Sequence, residues 1–328
     1  MKALRQVAFG RPTEVLSLVD METPDPGEGE VLCRVLASPL NPADLLSVRG
    51  FYPIKPQLPW IPGIEGVGQV VALGRGVQSM KRGQIVLLPI RAGLWAEMAV
   101  AQAKDCVGLP SDICPTQVSM LRINALTARV MLKEFYSLSK GDWLIQNPGS
   151  SSVAQYIVQL ANREGIRTCS IIRRPERAAH MKALGSSATL LDGPDLKERV
   201  RDATGGASIS LALDATGGEA TNRMASCLCD DGLVVSYGAV SRKPAQIGVM
   251  HSVFRGVRLQ GFWLYPWKQR NPERTRVYLN RLAEDFRVGH LSTEVAGEFG
   301  LEKWNEAFAL ARQNVRDGRV VLCPSTRV

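Results

Sequence analysis

Two adjacent guanidiniums, Arg173 and Arg174, end a short apolar run, and the thirty residues before them show why that position matters. Trp143-Leu144-Ile145-Gln146 reads as a strand that breaks into the small-residue turn Asn147-Pro148-Gly149-Ser150-Ser151-Ser152. From Val153 the apolar positions Val153, Ile157, Leu160 and Ala161 recur at helical spacing, Gly165 stops the segment, and Ile166 to Ile172 reads as the next strand. In such a unit the helix N-terminus offers N–H groups and a positive dipole end to a pyrophosphate, while the tip of the second strand meets the adenosine ribose. A carboxylate at that tip would hydrogen-bond the ribose 2′-hydroxyl and repel a 2′-phosphate. Arg173 and Arg174 do the opposite, so NADPH is expected rather than NADH, with Gly149, Ser150, Ser151, Ser152 and Val153 along the phosphate path. One charge-assisted bond contributes about 1.5–3 kcal/mol, which corresponds to roughly tenfold to a hundredfold in preference. The glycine pattern itself is poor, because Ser152 and Ala154 stand where G-x-G-x-x-G would place glycine. The alternative on these residues alone is an α/β domain with solvated arginines at a strand end.

The elements that must position this unit alternate around it. Residues 1 to about 115 carry short β-rich runs between Pro and Gly: Val15 to Val19, Val31 to Val35, Gly68 to Val71 and Gln84 to Leu88. That spacing suggests a β-barrel-like domain. From Pro115 helices alternate with the strands Ser187–Leu191, Ile209–Leu213, Leu233–Ser236 and Val257–Gly261, the pattern of an α/β doubly wound parallel sheet. After Trp267, helices over Glu273–Val288 and Leu301–Asp317 enclose a strand near Thr293, and Arg319–Leu322 is expected to return to the first domain. The expected division is 1–116, 117–266 and 267–328.

The chain has 328 residues, 45% of them hydrophobic, enough for two domains and a sizeable core. No apolar run could span a bilayer, and Met1 to Pro12 has neither a signal-peptide core nor a basic amphipathic presequence, so a cytoplasmic protein is expected with no membrane partner. Seven scattered cysteines fit reduced thiols, with Cys227 and Cys229 as the close pair. The net charge of +9 is spread along the chain without interleaved aromatics, so no nucleic-acid footprint is read. The densest basic group, Lys268, Arg270, Arg274 and Arg276, suits either a solvated helix face or a phosphorylated carrier.

Particular motifs sharpen this. Asn41-Pro42-Ala43-Asp44, Gly50-Phe51-Tyr52-Pro53, Leu58-Pro59 and Gly63-Ile64-Glu65-Gly66-Val67 stand in the first half. Ile145-Gln146-Asn147, Val153 with Gln155, Tyr237-Gly238, and Gly261-Phe262-Trp263-Leu264 followed by Trp267 stand in the second. Together they resemble the medium-chain dehydrogenase/reductase superfamily, most closely its mitochondrial-type trans-2-enoyl-CoA (enoyl thioester) reductase branch. The resemblance runs the length of the chain and is most specific around Tyr52 and Gly261–Trp267.

It implies a GroES-like catalytic domain joined to a Rossmann-type NADPH domain, a homodimer, and a place in fatty acid metabolism. The implied activity is reduction of the double bond of a 2-enoyl thioester on CoA or acyl carrier protein, with Tyr52 as the proton donor to the enolate. A phenol stays protonated at neutral pH and needs no metal for this task, and Pro53, Pro56, Pro59 and Pro62 would stiffen its loop. Asn124, Thr127, Gly217, Tyr237, Gly238, Phe262 and Trp263 are the further implied cofactor contacts. Asn41, Trp95, Trp263 and Trp267 are the implied substrate pocket, with an apolar wall for the acyl chain. Zinc is not expected, because Ile64 stands in place of the histidine of zinc-dependent members and the histidines, His180, His251 and His290, lie elsewhere. Two other readings stay open: a quinone or activated-alkene reductase on the same scaffold, and a silent NADPH-binding regulator.

Overall fold

The computed structural model describes residues 1–313 and 317–325 and divides into two compact units, Met1–Ile123 with Leu279–Val328, and Asn124–Tyr278. In the first unit β1 (Lys2–Gln6) and, after the one-turn helix α1 (Pro12–Val15), β2 (Leu16–Asp20) pair antiparallel. The expected strand from Val15 starts one residue later because Pro12 opens a helical turn that consumes Val15. Next come β3 (Glu30–Pro39), α2 (Pro42–Val48), β4 (Val67–Leu73), β5 (Ile85–Leu87), β6 (Met98–Gln102), β7 (Val107–Gly108) and the one-turn α3 (Pro115–Val118). β3 is the spine of this unit: it takes β4 along one edge and β6 along the other, both antiparallel.

The second unit begins with α4 (Leu126–Glu134) and runs β8 (Trp143–Asn147), α5 (Ser152–Arg163), β9 (Arg167–Ile172), α6 (Ala178–Ala183), β10 (Ala188–Leu191), α7 (Leu196–Thr204), β11 (Ile209–Asp214), α8 (Glu219–Ser226), β12 (Leu233–Ser236), α9 (Val249–Ser252), β13 (Arg258–Gly261) and α10 (Leu264–Arg270). Its six strands lie parallel in the order β10-β9-β8-β11-β12-β13. All five residues of β8 are buried, as a central strand covered on both faces requires. The order reverses between β8 and β11, and that switch point is where a doubly wound sheet opens its ligand crevice. Gly165 adopts φ +71° after α5 and lets Ile166 turn straight into β9.

Helix α11 (Pro272–Arg287) crosses back from the second unit to the first, followed by β14 (Val295–Phe299), α12 (Trp304–Arg312) and β15 (Arg319–Leu322). β15 pairs antiparallel with β3, Val321 against Pro39 and Leu322 against Ser38. The return starts at Leu279 rather than at residue 267, because Trp267 stacks on Tyr278 (centroids 6.2 Å apart) and Arg274 pairs with Glu134 (2.5 Å), which ties that stretch to the second unit. The first boundary likewise falls at 123/124 rather than 116/117. The expected helix Leu301–Asp317 is a 3₁₀ turn, Leu301–Lys303, followed by α12; residues 314–316 lie outside the described residues.

Each unit has its own core. In the first, Leu4, Val48, Trp95, Phe308 and Val320 meet, with Trp95 edge-on to Phe308 at 5.0 Å. At about 1.5–3 kcal/mol for each large apolar side chain, the returning α12 and β15 supply much of what holds this unit together. In the second, Ile145, Ile171, Ala212 and Val234 come from four adjacent strands.

Candidate active site

Tyr52 sits on a loop that is fastened at both ends within the first unit. At its start Gly50 adopts φ +79°, and the Phe51 and Tyr52 N–H groups both donate to the Leu46 carbonyl (2.9 and 3.2 Å). A β-carbon on Gly50 would lie 3.1 Å from Phe9, so sterics and φ both ask for glycine there. At its end Trp60 and Gln6 exchange backbone bonds (2.9 and 3.1 Å), and the Trp60 indole donates to the Gln6 side chain (2.8 Å). The Arg91 guanidinium lies over the Trp60 ring at 4.8 Å. Tyr52 is half-buried between these anchors, while Phe51 is exposed.

Below the loop lie two buried carboxylates. Asp44 accepts from the N–H groups of Asn41 and Ile64 (both 2.9 Å), and Glu65 accepts from the Asn41 side-chain amide and the Ile123 N–H (both 2.8 Å). Burial pushes both acids up to about 7, against the hydrogen bonds that favour their charged forms. Two of the expected pocket residues fall into this interior. Asn41 is 3% exposed, caps α2 and commits its amide to Glu65, and Trp95 is fully buried in the core against Phe308. The fold uses the one as a cap and the other as packing.

In the second unit the turn after β8 is built by packing as much as by flexibility. A β-carbon on Gly149 would lie 2.7 Å from the Ile171 nitrogen, and the Gly149 N–H donates to the Ile171 carbonyl. The turn's lone glycine therefore stands where the chain presses on β9. Gln146, buried, donates to the Ala154 carbonyl and to Ser170 Oγ (both 3.1 Å), and Asn147 Oδ1 accepts from Ala215 N–H at 3.1 Å. These bonds pin the first turn of α5 and the end of β11 to the tip of β8. Ser151 caps α5, its Oγ accepting from Ala154 N–H at 3.2 Å, while Ser152 and Val153 are nearly buried in the first turn.

Arg173 is exposed just past β9, and Arg174 is half-buried with its Nε 3.7 Å from Glu176; Arg177 is buried. Tyr237 follows β12. Its hydroxyl is buried without a hydrogen bond of standard geometry among the described residues; burial pushes the phenol up, and the Ser151 side chain only partly opposes this. A buried donor near the cap of α5 fits a polar ligand on that crevice. Gly238 is exposed, and a β-carbon there would come within 2.9 Å of the Ala215 β-carbon. Gly217 is different: Asp214 accepts its N–H (3.2 Å) and the Lys243 carbonyl occupies its β-carbon position (2.6 Å), so it is a buried turn glycine and not an open contact. Asn124 and Thr127 are nearly buried; Asn124 lies in a π-helical turn, Leu121–Ala125, an irregularity that often accompanies functional sites.

Phe262, Trp263, Tyr237 and Gly238 line one cavity of about 610 Å³ at the ends of β12 and β13, with Trp267 on its wall. Phe262 packs edge-on to Phe135 (5.1 Å), and Trp263 is 41% exposed. The wall is not purely apolar as expected: Glu134, Gln260 and Arg270 also reach it. Sequence reading missed Glu134, and it quoted Gln146, Asn147, Asp44 and Glu65 within motifs without reading the bonds they make. For Asp44 the bonding had a local signal, the Asn-x-x-Asp spacing of a capping box at Asn41. Among the described residues no group of three or more His, Cys, Asp or Glu side chains gathers as a metal site, and Ile64 contributes its backbone N–H to Asp44. No helix among them is long and apolar enough to cross a membrane.

The family model described as "Alcohol dehydrogenase GroES-like domain" matches residues 27–111, and "Zinc-binding dehydrogenase" matches residues 152–283. The chain is 34% identical to the mitochondrial enoyl-[acyl-carrier-protein] reductase of Xenopus tropicalis, over 84% of this chain and 81% of that protein. The Homo sapiens enzyme of the same name is 32% identical over 94% and 84%. Among solved structures, the Etr1p complex with NADP and crotonyl-CoA superposes with a TM-score of 0.88 at 26% identity, covering 98% and 99% of the two chains. A putative NADPH:quinone reductase from Bacillus thuringiensis superposes with a TM-score of 0.90 at 27% identity, covering 99% of each. The cytoplasmic expectation is overturned by these relatives, which are mitochondrial enzymes by name. With a third of its residues shared along most of both chains, this protein belongs to the medium-chain dehydrogenase/reductase superfamily, in the branch of the mitochondrial-type enoyl thioester reductases.

Proposed function

We propose that this chain reduces the carbon–carbon double bond of 2-enoyl thioesters carried on CoA or acyl carrier protein, with NADPH as the reductant. The observation that carries the reading is its kinship along most of its length with enoyl-[acyl-carrier-protein] reductases, in a chain where Arg173 and Arg174 directly follow β9. When bound, NADPH supplies the hydride that goes to Cβ. The first turn of α5, from Ser150 to Val153, holds the pyrophosphate, and Arg173 with Arg174 holds the 2′-phosphate. Tyr237, Gly238 and Phe262 orient the nicotinamide end, with Asn124 and Thr127 as further contacts. Tyr52 donates to the thioester oxygen as it gains negative charge and supplies the proton for Cα, water returning a proton to the phenolate. The assay is NADPH oxidation with crotonyl-CoA, a longer 2-enoyl-CoA and a simple quinone in parallel, each repeated with NADH. Turnover of thioesters with NADPH is expected; turnover of quinone alone would move the protein to the second reading, for which the likeness to the Bacillus thuringiensis protein speaks.

Trp263 and Trp267 wall the acyl end of the cavity beside β13. Trp263→Ala is expected to move the chain-length profile toward longer or bulkier acyl groups. The check is kcat/KM across a series of 2-enoyl-CoA lengths, and an unchanged profile would remove Trp263 from the pocket.

The protein works as a homodimer that continues the parallel sheet through β13. All four residues of β13 are exposed at the sheet edge, and Val253, Phe254 and Met250 nearby are 62–70% exposed, an apolar patch beside an open edge that a monomer would have to leave in water. Phe254→Asp is expected to convert the dimer to monomer in light scattering at micromolar concentration; a wild type that is itself monomeric rules this out.

A further inference from the structure

The two buried acids of the first unit are unused by the mechanism above, yet they hold both ends of the loop that carries Tyr52. The loop leaves from α2, and Asp44 fixes the start of α2 by accepting the Asn41 N–H at 2.9 Å. The loop re-enters the fold at Ile64 and Glu65, where the other oxygen of Asp44 accepts the Ile64 N–H at 2.9 Å. Glu65 closes the circuit: one oxygen accepts from the Asn41 amide and the other from the Ile123 N–H (both 2.8 Å), while its carbonyl accepts from Ser38 Oγ at 2.8 Å. All four carboxylate oxygens thus face N–H donors. We infer that Glu65 is a positioning residue for the tyrosine loop, its carboxylate and that of Asp44 clamping the loop's two ends so that the Tyr52 hydroxyl is held ready for the enolate. The inference rests on the reading of Tyr52 as proton donor.

The chemistry of the clamp makes it sensitive to protonation. A proton on Glu65 turns one acceptor into a donor facing another donor, Asn41 Nδ2–H or Ile123 N–H, and one bond of the circuit is lost. The charged groups that act on the pair are Asp44 on α2, Arg319 on β15 and Arg122 in the π-helical turn around Glu65, with Arg91 acting on Asp44. Asp44 raises the Glu65 acid and Arg319 lowers it, but burial dominates and pushes it up to about 7, with the Asn41 bond the largest opposing effect. The circuit is therefore complete above neutral pH and opens as pH falls through that value.

The test uses the full chain with crotonyl-CoA and NADPH, recording kcat from about pH 6 to 9, alongside hydrogen exchange of the segment 49–64 corrected for intrinsic rates. Wild-type kcat is expected to fall roughly tenfold from about pH 8 to pH 6, as the ionised fraction of an acid near 7 does, with loop exchange accelerating over the same range. Glu65→Gln is expected to be low across the range, with a shallower acid limb and faster loop exchange than the wild type, the pH dependence that remains being that of Asp44. Asn41→Ala is expected to displace the acid limb to higher pH, because it removes the bond that most favours the charged form. An acid limb that Glu65→Gln leaves at the wild-type depth, or a wild-type profile and loop protection that are both flat, overturns the inference. Should Glu65→Gln not fold, the wild type and Asn41→Ala decide it. A wild type that leaves every thioester untouched defeats the reductase reading instead, and loop exchange still decides the clamp.

Discussion

Tyr52→Phe is expected to lower kcat on crotonyl-CoA by roughly a hundredfold to ten-thousandfold, the usual contribution of a positioned acid, with the Kd for NADPH unchanged. The ring is kept, so packing between the loop anchors at Leu46 and Gln6 survives, and only the donor is lost. Tyr52 and the Arg173 tip belong to different compact units of the chain, so cofactor binding and proton donation should separate cleanly in one variant. The measurement is single-turnover NADPH oxidation together with cofactor titration by fluorescence. A wild-type rate would transfer proton donation to water or another side chain, and a parallel loss of NADPH affinity would point to a folding defect.

The second large effect concerns the cofactor. The double variant Arg173→Ala, Arg174→Ala is expected to lower the ratio of kcat/KM for NADPH over NADH by on the order of a hundredfold. Each charge-assisted contact to the 2′-phosphate contributes about 1.5–3 kcal/mol, and exposure reduces that toward its lower end. Arg173 is exposed, whereas Arg174 shares its charge with Glu176 at 3.7 Å, so Arg173 should carry the larger single effect. Because the site is open, raising salt should shrink the wild-type preference. A ratio that does not move would mean that the arginines are solvated and that specificity is set elsewhere in the crevice.

Much of the fold was legible in the chain because its period is local. The runs at Trp143, Ile166, Ile209 and Leu233 are mostly buried strands, apolar and short between glycine-ended helices, and each lies within a residue or two of its expected bounds. The terminal return was also legible: Arg319–Leu322 is a strand, and it joins β3. The capped start of α5 and the basic tip of β9 follow from residues within a few positions of each other, whereas the far end of the tyrosine loop is fastened by Gln6, 54 positions from Trp60.

What the sequence determined by itself is therefore the elements, the two-domain plan, the nucleotide unit and the kinship. The tertiary structure decided which polar residues are interior. Trp95 and Asn41 looked like pocket residues because aromatic and amide side chains serve either use, and burial against Phe308 and Glu65 could not be read from spacing. That Gly217 must be glycine is decided by the Lys243 carbonyl in its β-carbon's place, 26 positions along the chain. The Glu65 circuit joins residues 41, 44, 64, 65 and 123; the charge cost of burying two acids is met only when donors from distant segments converge on them, and that convergence is a property of the folded chain alone.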